Sequence, residues 1–232
     1  MEVEMDTNRI TGLALTIPPI GAIIIWLIAG FVLLGGSGPD DPQKYIAELG
    51  SNSTAAKYLF PFVTLLFLIA IGGIGYIKKS MEGGPGSYIA GFAWFLIIIG
   101  AAGQLGEVAF TLALAEASNN AATAAVAAAG GDPVAAATAA LNSNVASNMF
   151  AGGQAIGAVT TAFSMLGFAL FGFAIWQAKN FNPIIAGLMF VAAVFTLIMC
   201  LVDYESPILA IGYIGVVVSF TALGVSLLTK KE

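Results

Sequence analysis

One carboxyl side chain stands inside a long apolar segment of this sequence and is the strongest candidate for chemistry. Glu107 lies within residues 88–114, a segment long enough to cross a bilayer, at roughly 9 Å from its centre for a helical rise of 1.5 Å per residue. Gln104 and Thr111 follow the same face at helical spacing. Because an ionisable group at this depth is costly unless it is paired or used, the segment predicts a site for a cation or a proton.

The next apolar segment, residues 148–176, carries a second polar face that includes Gln154 and Thr161. Asp203 follows a further segment that ends on the same side of the membrane. We expect these groups to converge on one polar intramembrane site, formed by Gln104, Glu107, Thr111, Gln154, Thr161 and Asp203. The alternatives are a structural Glu107, whose bonds to Gln104 and Gln154 set the helix register, and an interface with a partner.

Glycines lie between these polar residues and predict close helix packing. Gly100 and Gly103 precede Glu107, while Gly153 and Gly157 form a GxxxG pattern around Gln154. Helix association in lipid depends on van der Waals packing and interhelical hydrogen bonds, so small residues mark contact faces. GxxxG is common in membrane helices of every function and does not select one.

Six apolar segments must position these groups. Residues of the apolar classes make up 59% of the chain and charged residues only 9%, which leaves no room for a sizeable aqueous domain. The sequence therefore predicts an all-α, polytopic bundle that forms one transmembrane domain over residues 1–232. Its six transmembrane helices are expected at about 11–34, 58–77, 88–114, 148–176, 183–202 and 207–228.

Two shorter segments outside the spans carry helix signals. Asp41 before Pro42 predicts a short helix over about 42–49, because Asp caps a helix and Pro fits its first position. Residues 117–145 are rich in Ala and are broken at Gly130-Gly131-Asp132-Pro133. They predict a short extracytoplasmic hairpin of two Ala helices between helices three and four, with Asp132 as the cap of the second helix. This hairpin is interpreted as a cap on the bundle, with a gate or a docking surface as alternatives.

The distribution of basic residues predicts the orientation. Six of them fall on one side of a six-span threading and two on the other: Arg9, Lys78, Lys79, Lys179, Lys230 and Lys231 against Lys44 and Lys57. Since cytoplasmic loops carry the excess of Lys and Arg, both termini are expected in the cytoplasm of a multi-pass protein of the cell membrane. The acidic stretch Glu2, Glu4 and Asp6 before the first segment does not fit a signal peptide.

Several function classes lack their residues in this sequence. There is no His, so the usual ligands of haem, copper, zinc and non-haem iron are missing. Cys200 is the only cysteine, and no nucleotide, protease or hydrolase motif is present. No basic run suits a nucleic acid. We expect no catalytic role, no metal and no cofactor.

Three short stretches resemble an uncharacterised prokaryotic family of six-helix integral membrane proteins whose function is unknown. They are Asn8-Arg9-Ile10-Thr11-Gly12-Leu13, Ile77-Lys78-Lys79 and Gln177-Ala178-Lys179 with Pro183. The resemblance implies six helices and brings no catalytic residues. The Ala-rich insertion over 117–145 departs from the family's order of elements.

Two classes of function follow from the sequence. The favoured one is a non-catalytic accessory subunit that packs against other integral membrane subunits, or against itself, through glycine-lined faces and the outer cap. The second is a small-solute or cation transporter or channel with its polar site around Glu107. In both cases membrane lipids surround the protein.

Overall fold

The computed structural model describes residues 7–229, which form seven α-helices. The charged residues Glu2, Glu4, Asp6, Lys230 and Lys231 lie outside this range. The helices are α1 (Thr7–Val32), α2 (Pro42–Ser51), α3 (Ser53–Ser80), α4 (Ser87–Ala128), α5 (Pro133–Ala178), α6 (Pro183–Val202) and α7 (Leu209–Leu228). All except α2 are long and apolar enough to cross a membrane, so the six predicted spans are confirmed as helices.

Side-chain caps begin three of the helices. The carboxylates of Asp41 and Asp132 accept hydrogen bonds from backbone N–H groups at the starts of α2 and α5, and the side chain of Asn182 does the same for α6. Pro occupies the first position of each helix, where its missing N–H costs nothing. The predicted short helix after Asp41 and the cap at Asp132 are confirmed.

The Ala-rich segment does not form separate short helices, and that prediction is wrong. α4 runs for 42 residues and α5 for 46, so each is about 60–70 Å long at 1.5 Å per residue. A bilayer's hydrocarbon core is about 30 Å thick, so both helices continue well beyond it as one antiparallel pair. Ala has the highest helix propensity, and the helices therefore end only at the turn around Gly130 and Gly131.

The six long helices form a closed ring in the order α1, α3, α4, α5, α6, α7, each contacting its two neighbours. One end of the ring, the terminal face, holds the start of α1, the α3–α4 turn, the α5–α6 turn and the end of α7. The opposite end, the hairpin face, holds α2, the projecting ends of α4 and α5, and the α6–α7 link over residues 203–208. Because the six long helices alternate in direction between the two faces, both described ends of the chain lie at the terminal face.

A continuous apolar core fills the ring. It includes Leu15 from α1, Ile74 from α3, Phe168 from α5 and Phe220 from α7, each 0% exposed. Phe168 and Phe220 meet edge to face with their ring centroids 5.1 Å apart. The described helices therefore pack against one another at the centre of the ring.

Glycines allow α4 and α5 to approach closely along their length. A Cβ on Gly100 would lie 2.8 Å from the backbone oxygen of Thr160, and one on Gly167 would lie 2.9 Å from that of Ala93. Gly103 packs against the Thr160 side chain. The predicted packing glycines Gly100 and Gly103 thus contact α5 of the same chain.

α2 packs against the base of the projecting helices. The Ser118 hydroxyl donates a hydrogen bond to the Ile46 backbone oxygen at 2.8 Å, and Gly50 leaves room for the same serine. The rings of Tyr45 and Phe150 lie 5.8 Å apart. A small second core, which includes Leu49 and Leu114, joins these elements. α2 is therefore held over the hairpin-face end of the bundle.

α7 begins two residues later than the sequence predicts. The last span was expected to begin at residue 207, but the regular helix starts at Leu209 after a turn through Ile208. α3, in turn, begins at Ser53, ahead of the predicted 58. The α6–α7 link consequently spans residues 203–208 and is long enough to fold over the end of the bundle.

Candidate functional site

Glu107 is partly buried on α4 and faces α5 and the α6–α7 link. The Tyr204 hydroxyl donates a hydrogen bond to Glu107 Oε1 over 3.4 Å. Gly157 of α5 makes this approach possible, because a Cβ there would lie 2.5 Å from Tyr204 Oη and 2.9 Å from Glu107 Oε1. Three elements therefore meet at one carboxyl group.

A second pair of hydroxyls lies next to this contact. Thr161, one turn along α5 from Gly157, is 1% exposed, and its Oγ1 is 3.0 Å from the Tyr213 hydroxyl of α7. Burial raises the pKa of Tyr204 far above its usual value; Tyr213 and Glu107 add to the rise, and a hydrogen bond with Thr161 opposes it. Tyr204 is therefore a neutral hydroxyl that can donate to the carboxylate.

α2 supplies another tyrosine close to the same group. Burial raises the pKa of Tyr45 to about 12, and the charge of Glu107 adds to the effect. Tyr45 and Tyr204 come from two separate segments outside the spanning helices. Both segments lie at the hairpin face, where the link contacts Glu107 through Tyr204.

The other residues of the predicted site take different positions. The Thr111 hydroxyl donates to the backbone oxygen of Glu107 at 3.0 Å, and not to its carboxylate. Gln104 is half-buried one turn away on α4. Gln154 lies one turn from Gly157 toward the hairpin face, and its buried Oε1 has no hydrogen-bond partner within residues 7–229. Hydrogen bonds from Glu107 to Gln104 and Gln154 are absent among the described residues, and its carboxylate instead accepts from Tyr204.

Asp203 does not join the cluster. It is exposed, since α6 ends at Val202 and the backbone becomes extended at Asp203. The neighbouring Tyr204 points to Glu107 instead. Sequence spacing did not identify Tyr204, Tyr213 or Tyr45 as site residues. The sequence did contain one indication of Tyr204: it follows Asp203 directly, in the link at the same end of the bundle as Glu107.

The charge around the site differs between the two faces. The described residues outside the spans place seven carboxylates and two lysines on the hairpin side: Asp40, Asp41, Glu48, Glu116, Asp132, Asp203 and Glu205, with Lys44 and Lys57. Within residues 7–229, both ion pairs involve other acids, Lys57 with Glu116 and Lys78 with Glu82. The Glu107 carboxylate thus has one hydroxyl partner, Tyr204, and no basic partner among the described residues.

These features define an integral membrane protein, with six apolar helices in a ring and one carboxyl group held among hydroxyls near one end. No family model, no curated protein and no solved structure matches the chain. The resemblance to a six-helix prokaryotic family stays a prediction.

Proposed function

We propose that this protein moves a small cation or a proton across a membrane, with Glu107 as the binding group. The contact that supports this most directly is the Glu107–Tyr204 hydrogen bond, which holds an intramembrane carboxylate beside a hydroxyl and without a basic partner among the described residues. Such carboxyl groups are rare in membrane helices because they are costly, and they commonly belong to ion or proton pathways.

The field of the protein favours a cation at this site. The carboxylates of the hairpin face raise the local concentration of cations, and exposed Asp203 and Glu205 flank Tyr204 in the link. Arg9, Lys78, Lys79 and Lys179 lie at the terminal face. By the positive-inside rule, we propose that the terminal face is cytoplasmic and that the site opens to the outer side of the cell membrane.

The packed core corresponds to one stage of a transport cycle. Phe168 lies two turns along α5 from Thr161, and Phe220 lies two turns along α7 from Tyr213. The pair therefore closes the terminal-face side of the site, about 10 Å along the helices from the hydroxyls. Passage of the ion requires a second conformation in which these rings separate.

Flux measurements in proteoliposomes test the proposal. H⁺, Na⁺, K⁺ and Ca²⁺ are offered in turn to wild type and to Glu107→Gln, which keeps the shape of the side chain and removes its charge. Glu116→Gln is the matched control, because Glu116 is an exposed carboxylate on the same helix. We expect flux of at least one ion in wild type and the control, and its loss in Glu107→Gln. Equal flux in all three proteins would contradict the proposal.

The projecting hairpin favours a second candidate, the accessory subunit of a larger membrane complex. Val126, Val134 and Leu141 on this hairpin are 63–77% exposed. Neither candidate is enzymatic or needs a cofactor. Gentle extraction, native electrophoresis and mass spectrometry test the subunit role. Migration in a fixed stoichiometry with another membrane protein supports the subunit role. The role is contradicted if the protein migrates alone or as a homo-oligomer and is active in the flux assay.

A further inference from the structure

The space at Glu107 is small. The carboxylate and the Tyr204 hydroxyl already lie so close to α5 that a single methyl group at Gly157 would overlap with them. Ca²⁺ takes six to eight oxygen ligands and Mg²⁺ takes six in near-octahedral geometry. Within residues 7–229, no group of three or more acidic, His or Cys side chains is placed to hold a metal. The site therefore suits a ligand that needs almost no volume and few oxygens.

The groups around Glu107 also form a series of hydroxyls. Tyr204 donates to the carboxylate, Thr161 interacts with Tyr204, and Thr161 Oγ1 lies 3.0 Å from the Tyr213 hydroxyl. A hydroxyl both donates and accepts a hydrogen bond, unlike an ammonium group or a carboxylate. Hydroxyls in sequence can therefore pass a proton along without any of them becoming charged.

We propose that the ligand exchanged at Glu107 is a proton, delivered and removed through the Tyr204 hydroxyl, from which Thr161 and Tyr213 continue a relay of hydroxyls toward the terminal face. This inference rests on the proposed function and specifies its substrate. In each transfer, a hydroxyl gives its proton to the neighbour on one side and takes a proton from the neighbour on the other. One proton is gained by the carboxylate, one is lost by water at the hairpin face, and every hydroxyl is restored.

The titratable groups that interact with Glu107 come from four elements: Tyr45 of α2, Cys200 of α6, Tyr204 of the link and Tyr213 of α7. All of them are neutral when protonated, and none is a base that would hold Glu107 as a permanent ion pair. The relay leads from Tyr204 toward the terminal face, and the Phe168–Phe220 pair closes that side in this conformation. In this conformation the proton therefore enters and leaves from the hairpin face.

Infrared difference spectroscopy of the full-length protein in nanodiscs tests the inference. The carboxylic acid C=O band that is lost in Glu107→Gln reports the protonated form of this group, and it is followed against pH. The titration is repeated with NaCl, KCl and CaCl₂, with choline chloride matching the ionic strength. Tyr204→Phe removes one hydroxyl of the relay and keeps the ring, and Tyr88→Phe, at a side chain 96% exposed, is its control.

We expect a Glu107 band whose titration midpoint is the same in every salt. Its frequency should shift in Tyr204→Phe and stay unchanged in Tyr88→Phe. A titration midpoint that Na⁺, K⁺ or Ca²⁺ shifts by a factor of ten in proton concentration would overturn the inference. So would a Glu107 C=O band with the same frequency in Tyr204→Phe and in wild type. If the titration midpoint is the same in every salt but no flux is found in liposomes, the result supports the proton site at Glu107 and rejects the transport function. If Na⁺ flux depends on Glu107, the result supports the transport function and rejects the proton as the ligand.

Discussion

The Tyr204 hydroxyl lies 3.4 Å from Glu107 Oε1, and this contact joins the α6–α7 link to the middle of α4. The two residues are 97 positions apart in the chain. Their contact positions the link over the polar cluster at the hairpin face. A substitution that separates them should therefore alter the site without unfolding the bundle.

Gly157→Ala tests how closely α5 must approach this contact. The new methyl group would overlap with the Tyr204 hydroxyl and the Glu107 carboxyl, and overpacking of this kind costs about 1–3 kcal/mol. We expect a lower melting temperature in detergent and loss of Glu107-dependent flux. Gly187→Ala on α6 is the control, because no atom lies within 4 Å of the position where its Cβ would be. Equal effects of the two substitutions would show that the approach of α5 is unimportant.

Gly100→Ala tests the close packing of α4 and α5 away from the site. Its Cβ would lie 2.8 Å from the Thr160 backbone oxygen and 2.9 Å from the Ser164 backbone nitrogen, so backbone must move to accommodate it. We expect a loss of about 1–3 kcal/mol, measured by thermal or denaturant unfolding in detergent. On the same helix, Gly91→Ala meets no neighbour and should leave stability unchanged or raise it by about 0.5–1 kcal/mol. The opposite order of the two variants would contradict the described α4–α5 interface.

Alkaline pH should release α2 from the bundle. The pKa of Tyr45 is raised from 10.0 to about 12, so the folded state holds this proton more tightly than the unfolded chain does. The stability from neutral Tyr45 is therefore complete below pH 10 and is lost as the pH rises through about 12. Burial shifts the pKa of Tyr204 in the same direction.

Amide hydrogen exchange of α2 measures this release. Protection should fall between pH 10 and about pH 12 in wild type, after correction for the intrinsic exchange rate, and should fall less in Tyr45→Phe. Tyr58→Phe is the control, because Tyr58 is 75% exposed on neighbouring α3. The same loss of protection in Tyr45→Phe and wild type would show that Tyr45 does not set the alkaline response.

The spans and helix starts were predictable because their signals are local. Apolar runs define the six long helices, and Asp before Pro marks the starts at Pro42 and Pro133. The length of α4 and α5 was missed because polar residues beyond Glu116 suggested the end of a span, whereas a projecting helix pair needs no apolar face toward lipid. The helix propensity of Ala therefore determined the lengths of α4 and α5 more than hydropathy did.

The site was predictable only in part, since it depends on contacts between distant segments. Glu107, Gly157 and Thr161 were identified from helical spacing, and they do lie together. Asp203 was expected there because it directly follows α6 on the right side of the membrane, whereas the chain turns away at that point and Tyr204 reaches the carboxyl. Tyr45 lies on a separate short helix, and no periodicity along the spans relates it to Glu107.

Measurement of charge movement on a solid-supported membrane tests most directly the central claim that Glu107 binds the transported ion. Proteoliposomes are adsorbed to a solid-supported membrane, and the transient current after a rapid pH step is recorded for wild type, Glu107→Gln and Glu116→Gln. We predict a current in wild type and Glu116→Gln that is at least tenfold smaller in Glu107→Gln. The same current in Glu107→Gln as in wild type, from protein with an unchanged melting temperature, would contradict the role assigned to this carboxyl group.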